Sequence, residues 1–227
     1  MEMQVVTNLH TGVLWGAGFL VAGVLLLALR MLYVMFRRGP APARTKPAKT
    51  LIVLGSGGHT AEMLMLMDSL DKARYSPRSY VVAATDPMSG PKALARERLW
   101  QKKDSPTGFR IQQIPRSREV GQSYITSVAT TLYSLVFAFG LVLREAPELV
   151  LVNGPGTCIP ICAAAFVYRV LGLTRTQIVY VESIARTRRF SLSAKLLYHL
   201  RMADLLFVQW EQLARTYPRA VYAGRLY

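Results

Sequence analysis

The sequence predicts an α/β protein: one Rossmann-like parallel sheet with helices on both faces, carried behind one N-terminal transmembrane helix. Three observations lead there. From Thr50 onward, short β-rich runs alternate with longer helical stretches six times in about 175 residues, the pattern of a parallel sheet with covering helices. Glycine-rich corners follow two of the strand candidates, where ligands of doubly wound sheets bind. Before all of this, no charged residue occurs between Met3 and Leu29.

The anchor comes first. Apolar density peaks from Val13 to Phe36, enough helix to cross about 30 Å of hydrocarbon. A cleaved signal peptide fits less well, because the segment is long, lacks a basic start and lacks a small-residue cleavage site. Arg30, Arg37, Arg38, Arg44, Lys46 and Lys49 load its C-terminal flank, whereas the N-terminal side carries only Glu2. The positive-inside rule therefore expects a single-pass topology over residues 1–38, with a lumenal N-terminus and a cytosolic main domain. Residues 39–49, GPAPARTKPAK, read as an extended basic linker beside an acidic lipid surface. The domain then occupies residues 50–227.

Its strands are expected at Thr50–Leu54, Ser79–Ala84, Phe109–Ile114, Leu149–Val152, Gln177–Val181 and Leu205–Gln209. Helices are expected to begin near Thr60, Pro91, Gln122, Ile159, Ser191 and Glu211. A second uncharged run, Val120–Leu143, contains seven serine, threonine or glutamine residues. It is expected to lie on the sheet or on the bilayer surface, not to cross the membrane. Cys158 and Cys162 stand four apart in an apolar segment, as two buried thiols on one helix face. A disulfide framework is excluded and a reducing compartment fits.

The charge balance narrows the partners. Twenty-eight Lys and Arg against thirteen Asp and Glu give a formal +15, which suits a phosphate-bearing ligand, an acidic membrane face or nucleic acid. No stacking platform or basic recognition helix accompanies the charge, so nucleic acid is set aside.

Three corners carry the candidate chemistry. In LIVLGSGGHTAEML, Gly55, Ser56, Gly57 and Gly58 permit close backbone approach, and the following helix offers unpaired N–H groups and its positive dipole end to a phosphate or diphosphate. The turn is neither a Walker loop nor a dinucleotide fingerprint, and a purely structural tight turn is the alternative. His59 either accepts a proton, its neutral form favoured by the helix N-terminus, or merely caps the turn. In VNGPGTCIP, Asn153, Gly154, Pro155 and Gly156 form a second corner with free backbone donors. In IVYVESIARTRR, Glu182 either grips sugar hydroxyls at a strand end or pairs with Arg186, Arg188 or Arg189. No metal or cofactor is expected.

These motifs, with the ending FVQW and YPRAVYAGRLY, resemble the membrane-anchoring subunits of the UDP-N-acetylglucosamine transferase that builds dolichol-linked oligosaccharide for asparagine glycosylation. The resemblance covers nearly the whole chain and implies the N-terminal half of a GT-B glycosyltransferase at the endoplasmic reticulum membrane. It implies a lipid-diphosphate sugar acceptor bound here by Gly55, Ser56, Gly57, Gly58, Asn153, Gly154 and Gly156. His59 and Glu182 become the catalytic candidates, and a separate cytosolic UDP-GlcNAc-binding catalytic subunit supplies the donor wall of the cleft. The tail offers Val221, Tyr222, Leu226 and Tyr227 as docking residues for that subunit, the alternative being an edge strand on its own sheet. A chain that only tethers the catalytic subunit is the rival function.

Overall fold

A computed structural model describes residues 2–36, 44–101, 108–119, 121–154 and 156–227. It divides into two units, residues 1–39 and 40–227. The first is one helix, α1 (Glu2–Phe36). Its 23-residue stretch Leu14–Phe36 contains an 18-residue window of mean hydropathy 2.3, long and apolar enough to cross a membrane. Five residues of the expected linker, 39–43, lie outside the described residues.

The second unit follows the alternation read from the sequence: β1 (Thr50–Val53), α2 (Gly58–Ser69), β2 (Arg78–Ala83), α3 (Ser89–Gln101), β3 (Phe109–Ile114), α4 (Tyr124–Glu145), β4 (Leu149–Asn153), α5 (Cys158–Val170), β5 (Gln177–Val181), α6 (Leu192–His199), β6 (Leu205–Val208), α7 (Glu211–Thr216) and β7 (Val221–Tyr222). All seven strands are parallel, in the order β3-β2-β1-β4-β5-β6-β7. The order reverses between β1 and β4, and a crevice opens outside the carboxyl ends of strands at such a point. The two-residue β7 is the edge strand that stood as the alternative reading of the tail, and it pairs with β6.

Strand side chains alternate between two cores, as pleating requires. Leu51 and Val53 of β1 join Val150 and Val152 under α4, α5 and α6, where Ala138, Val142, Cys158, Ile161, Ala194 and Leu197 are buried. Ile52 and Leu54 point the other way, onto Met63, Met67, Ala93 and Trp100 of α2 and α3. Buried on both faces, the central strands read as continuous apolar runs, as parallel strands do. Cys158 and Cys162 both belong to the first core as free thiols. Burial pushes the Cys158 thiol up to about 12, so it packs as a small apolar group.

Serine caps set two helix starts. Ser123 accepts from Thr126 N at 3.2 Å before α4, and Ser191 from Ala194 N at 3.1 Å before α6. Those caps place α4 two residues and α6 one residue beyond the starts read from composition.

Candidate functional site

β1 delivers Gly55 to the switch point, and the chain turns there into α2. Gly57 has φ +67°, a left-handed conformation that glycine tolerates best, while Gly58 faces open space with no heavy atom within 4 Å of an added Cβ. No side chain caps the start of α2, so its first amides stay available. Beneath the turn, Thr60 Oγ1 donates to Gly55 O and lies 2.5 Å from Ser89 Oγ. Ser89 Oγ in turn donates to Asp86 Oδ2 at 2.6 Å. Asp86 Oδ1 accepts from the amides of Met88 and Ser89 at 3.0 and 3.1 Å. Burial alone would raise the Asp86 pKa, but these donors and the Arg116 charge hold it below the usual carboxylate range. The glycine turn thus rests on a fixed polar floor.

The second corner locks against the first. Gly154 has φ +75°, and a Cβ there would stand 2.2 Å from His59 Nδ1, so the imidazole occupies the space that glycine leaves empty. Asn153, fully buried at the end of β4, donates through Nδ2 to His59 O at 3.0 Å and to Glu62 Oε2 at 3.3 Å. Gly156 is exposed, near the Cβ of Arg118 on the β3–α4 loop, and Pro155 lies outside the described residues.

Glu182 is placed otherwise than its position at a strand end suggested. It is fully buried, and its carboxylate accepts from Ser191 N at 2.8 Å, Ser183 N at 3.1 Å and Tyr180 Oη at 3.2 Å. None of those donors is an arginine; the carboxylate organises the β5–α6 corner. The next residue, Ser183, leaves on the opposite side and reaches the crevice, donating to Glu62 Oε1 at 2.7 Å.

Two site residues escaped sequence reading. Arg116, on the loop after β3, donates to Ser56 Oγ at 2.8 Å and pairs with Glu119 at 2.9 Å, which sets a cation against the glycine turn. Its signal was its place two residues past the β3 end. Glu62, one turn into α2, collects contacts from four segments, and only its spacing of three from His59 marked it.

The tail folds back on its own domain. Arg225 lies over the Trp210 ring at 5.0 Å, and Leu226 N donates to Gln209 Oε1 at 2.9 Å. Tyr227 Oη sits 3.3 Å from Glu62 Oε2 and 3.0 Å from Glu182 O. Leu226 and Tyr227 pack on the α2–α3 core, whereas Val221 and Tyr222 stay exposed on the β7 edge.

Fold and site together define a doubly wound α/β protein with an uncapped glycine turn at its switch point and a helix long and apolar enough to span a membrane. Residues 50–226 match the family described as "Oligosaccharide biosynthesis protein Alg14 like". The rat protein named UDP-N-acetylglucosamine transferase subunit ALG14 is 48% identical over 90% of this chain and 94% of its own length. The Candida albicans protein of that name is 38% identical over 96% of this chain and 99% of its own. The chain belongs to the Alg14-like family. Among solved structures, Acinetobacter baumannii MurG aligns at 17% identity and a TM-score of 0.47, covering 71% of this chain and 41% of that one.

Proposed function

We propose that the chain is a non-autonomous subunit of a UDP-GlcNAc transferase, forming the N-terminal half of a GT-B arrangement. It recruits a cytosolic, donor-binding catalytic subunit to the endoplasmic reticulum membrane and presents dolichyl-diphosphate-GlcNAc for addition of the second GlcNAc in β1,4 linkage. The observation that carries this reading is the uncapped glycine turn into α2, with Arg116 against Ser56 and the 153–156 corner beside it. Backbone amides, a helix N-terminus and a guanidinium converging on one crevice favour a diphosphate. Family membership and the names of the relatives supply the sugar nucleotide and the subunit role.

In this reaction the acceptor O4 attacks the anomeric carbon of the donor sugar and UDP leaves from the opposite face. The developing oxonium at O4 must lose its proton, and His59 is the base within the crevice. The test uses membranes holding this chain with its catalytic subunit, supplied with labelled UDP-GlcNAc and GlcNAc-diphosphate-dolichol. Gly58→Val is expected to lower transfer while complex assembly is unchanged. Full transfer by an assembled Gly58→Val complex supports the rival in which this chain is only a tether.

The membrane reading extends to α4. Ser134, Ala138, Leu141 and Val142 are buried against the domain, while Ile125, Val128, Leu132, Val136 and Leu143 form an exposed stripe at helical spacing. Moving α4 into the bilayer would open the core it closes, so α4 lies along the interface with that stripe in the headgroup region. The chain then crosses once, N-terminus lumenal. In sealed microsomes a tag after Tyr227 is expected to be cleaved by added protease and an N-terminal tag protected. For partner docking, Val221 and Tyr222 on the β7 edge are the contact residues, with Leu226 and Tyr227 shaping the surface behind them. Tyr222→Glu is expected to release the partner from membranes, leaving this chain anchored.

A further inference from the structure

We infer that Glu62 is a positioning residue for His59, held by Ser183, Asn153 and Tyr227 so that the imidazole presents Nε2 to the acceptor. The inference rests on reading this crevice as the acceptor site. His59 Nδ1 is buried without a hydrogen-bond partner, yet it lies 3.5 Å from Glu62 Oε2, within ion-pair distance. Cγ, Nδ1 and Cε1 of the ring face Gly154, which leaves the Nε2 edge open; the side chain is one-third exposed. A carboxylate beside Nδ1 favours the Nδ1–H tautomer and leaves the lone pair on Nε2, the arrangement a general base needs.

The carboxylate is built to stay in place. Ser183 Oγ donates to one oxygen at 2.7 Å, and Asn153 Nδ2 and Tyr227 Oη approach the other at 3.3 Å each. Burial alone would raise the Glu62 pKa; the contacts with His59, Ser183 and Tyr227 hold it below the usual range, so it remains ionised. The charged and titratable groups around the ring are Glu62 on α2, Tyr227 on the tail, Glu182 behind Ser183, and Arg116 and Arg118 on the β3–α4 loop.

During transfer the O4 proton passes to Nε2 as the O4–C1 bond forms and the bond from C1 to the diphosphate oxygen breaks, its electron pair leaving with UDP. Glu62 stabilises the imidazolium until that proton goes to solvent. It touches neither substrate; it acts through the ring.

The test reads the ring directly. The full chain carries three histidines, so nitrogen-15 spectra in lipid nanodiscs resolve each, with His59→Ala assigning the signal. The wild type is expected to show the Nδ1–H tautomer at His59. Glu62→Gln should give a mixture of tautomers, since the carboxylate beside Nδ1 that favours the Nδ1–H form is gone. Should Glu62→Gln not fold, Tyr227→Phe loosens one contact and is expected to shift the signal in the same direction by less. An unaltered His59 tautomer in a folded variant overturns the assignment. In the assembled complex, Glu62→Gln should lower kcat by about 10-fold or more with acceptor KM nearly constant and the acid limb of the pH profile displaced, and Glu62→Asp should recover part of the rate. A loss confined to KM with an unmoved profile also overturns it. Wild-type turnover in His59→Ala, with the spectral response of Glu62→Gln intact, overturns instead the reading of His59 as the base.

Discussion

Two polar clusters lie at opposite ends of the same sheet, and they differ in what is left unpaired. At the amino ends, Arg78 of β2 is fully buried and makes a two-pronged pair with Glu97 of α3, Nε to Oε1 at 2.6 Å and Nη2 to Oε2 at 2.7 Å. Tyr80 Oη adds a third bond to Glu97 at 2.6 Å, and Arg78 Nη1 donates to the carbonyls of Lys72 and Tyr75. At the carboxyl ends, His59 Nδ1, Asn153 Oδ1 and Gln209 Nε2 are buried without partners. They are three of five such atoms among the described residues, a concentration that sets this end apart. A buried polar group left unmatched costs stability, so the amino end is a closed network, whereas the carboxyl end carries unmatched atoms beside the proposed acceptor site. The first cluster is architecture; the second lines the proposed acceptor site.

Breaking the architecture should have the largest effect. Glu97→Ala removes the carboxylate that balances a buried guanidinium, and unfolding free energy in detergent should fall by about 3–5 kcal/mol. Denaturant titration checks it; a loss below 1 kcal/mol would make the two ends alike. Next comes Gly154→Val, which meets the His59 ring and a left-handed backbone together. It should lose about 2–4 kcal/mol and all measurable transfer.

Gly58→Val sharpens the contrast in the other sense. An added side chain meets nothing in the protein, so stability should change by less than about 1 kcal/mol while transfer drops about 10-fold or more. Gly57→Val should lose both, because its φ of +67° strains any β-branched residue. The smallest effect is pH-dependent. Asp86 has a folded pKa below its unfolded value, so its contribution is present above the unfolded value near 3.9 and is lost as pH falls through the folded one. Asp86→Asn should flatten the stability profile there, read by thermal unfolding between roughly pH 5 and pH 2.

Much of this was legible in the sequence. The six longer strands fall within one residue of their expected limits at each end: the central ones are buried, continuous apolar runs bounded by turn residues, and the edge strand β3, FRIQQI, was legible by its alternation. The two glycine corners were also legible, since left-handed backbone leaves a compositional trace. What joins them was not. Glu62 meets Ser183 across 121 residues and Tyr227 across 165, separations at which helix or strand periodicity says nothing. Glu182 was read one residue out of phase: at a strand end a single step turns a side chain from crevice to core, so Ser183 holds the position expected of its neighbour. β7 was legible only as an alternative for the tail, because two residues carry no periodicity and its pairing depends on the edge that β6 presents.

The fit of the His59 ring into the hollow at Gly154 has a consequence for how these positions can change over generations. With histidine at 59, any side chain at 154 is blocked twice, by the ring and by the backbone. Once 59 becomes small, the ring's objection vanishes and only the left-handed penalty remains, about 1–2 kcal/mol. The order of substitution is therefore one-way: residue 59 must shrink before residue 154 can grow. A lineage that keeps the histidine keeps the glycine with it, whereas one that has dispensed with the histidine is free to drift at 154 and, having drifted, cannot readily regain it.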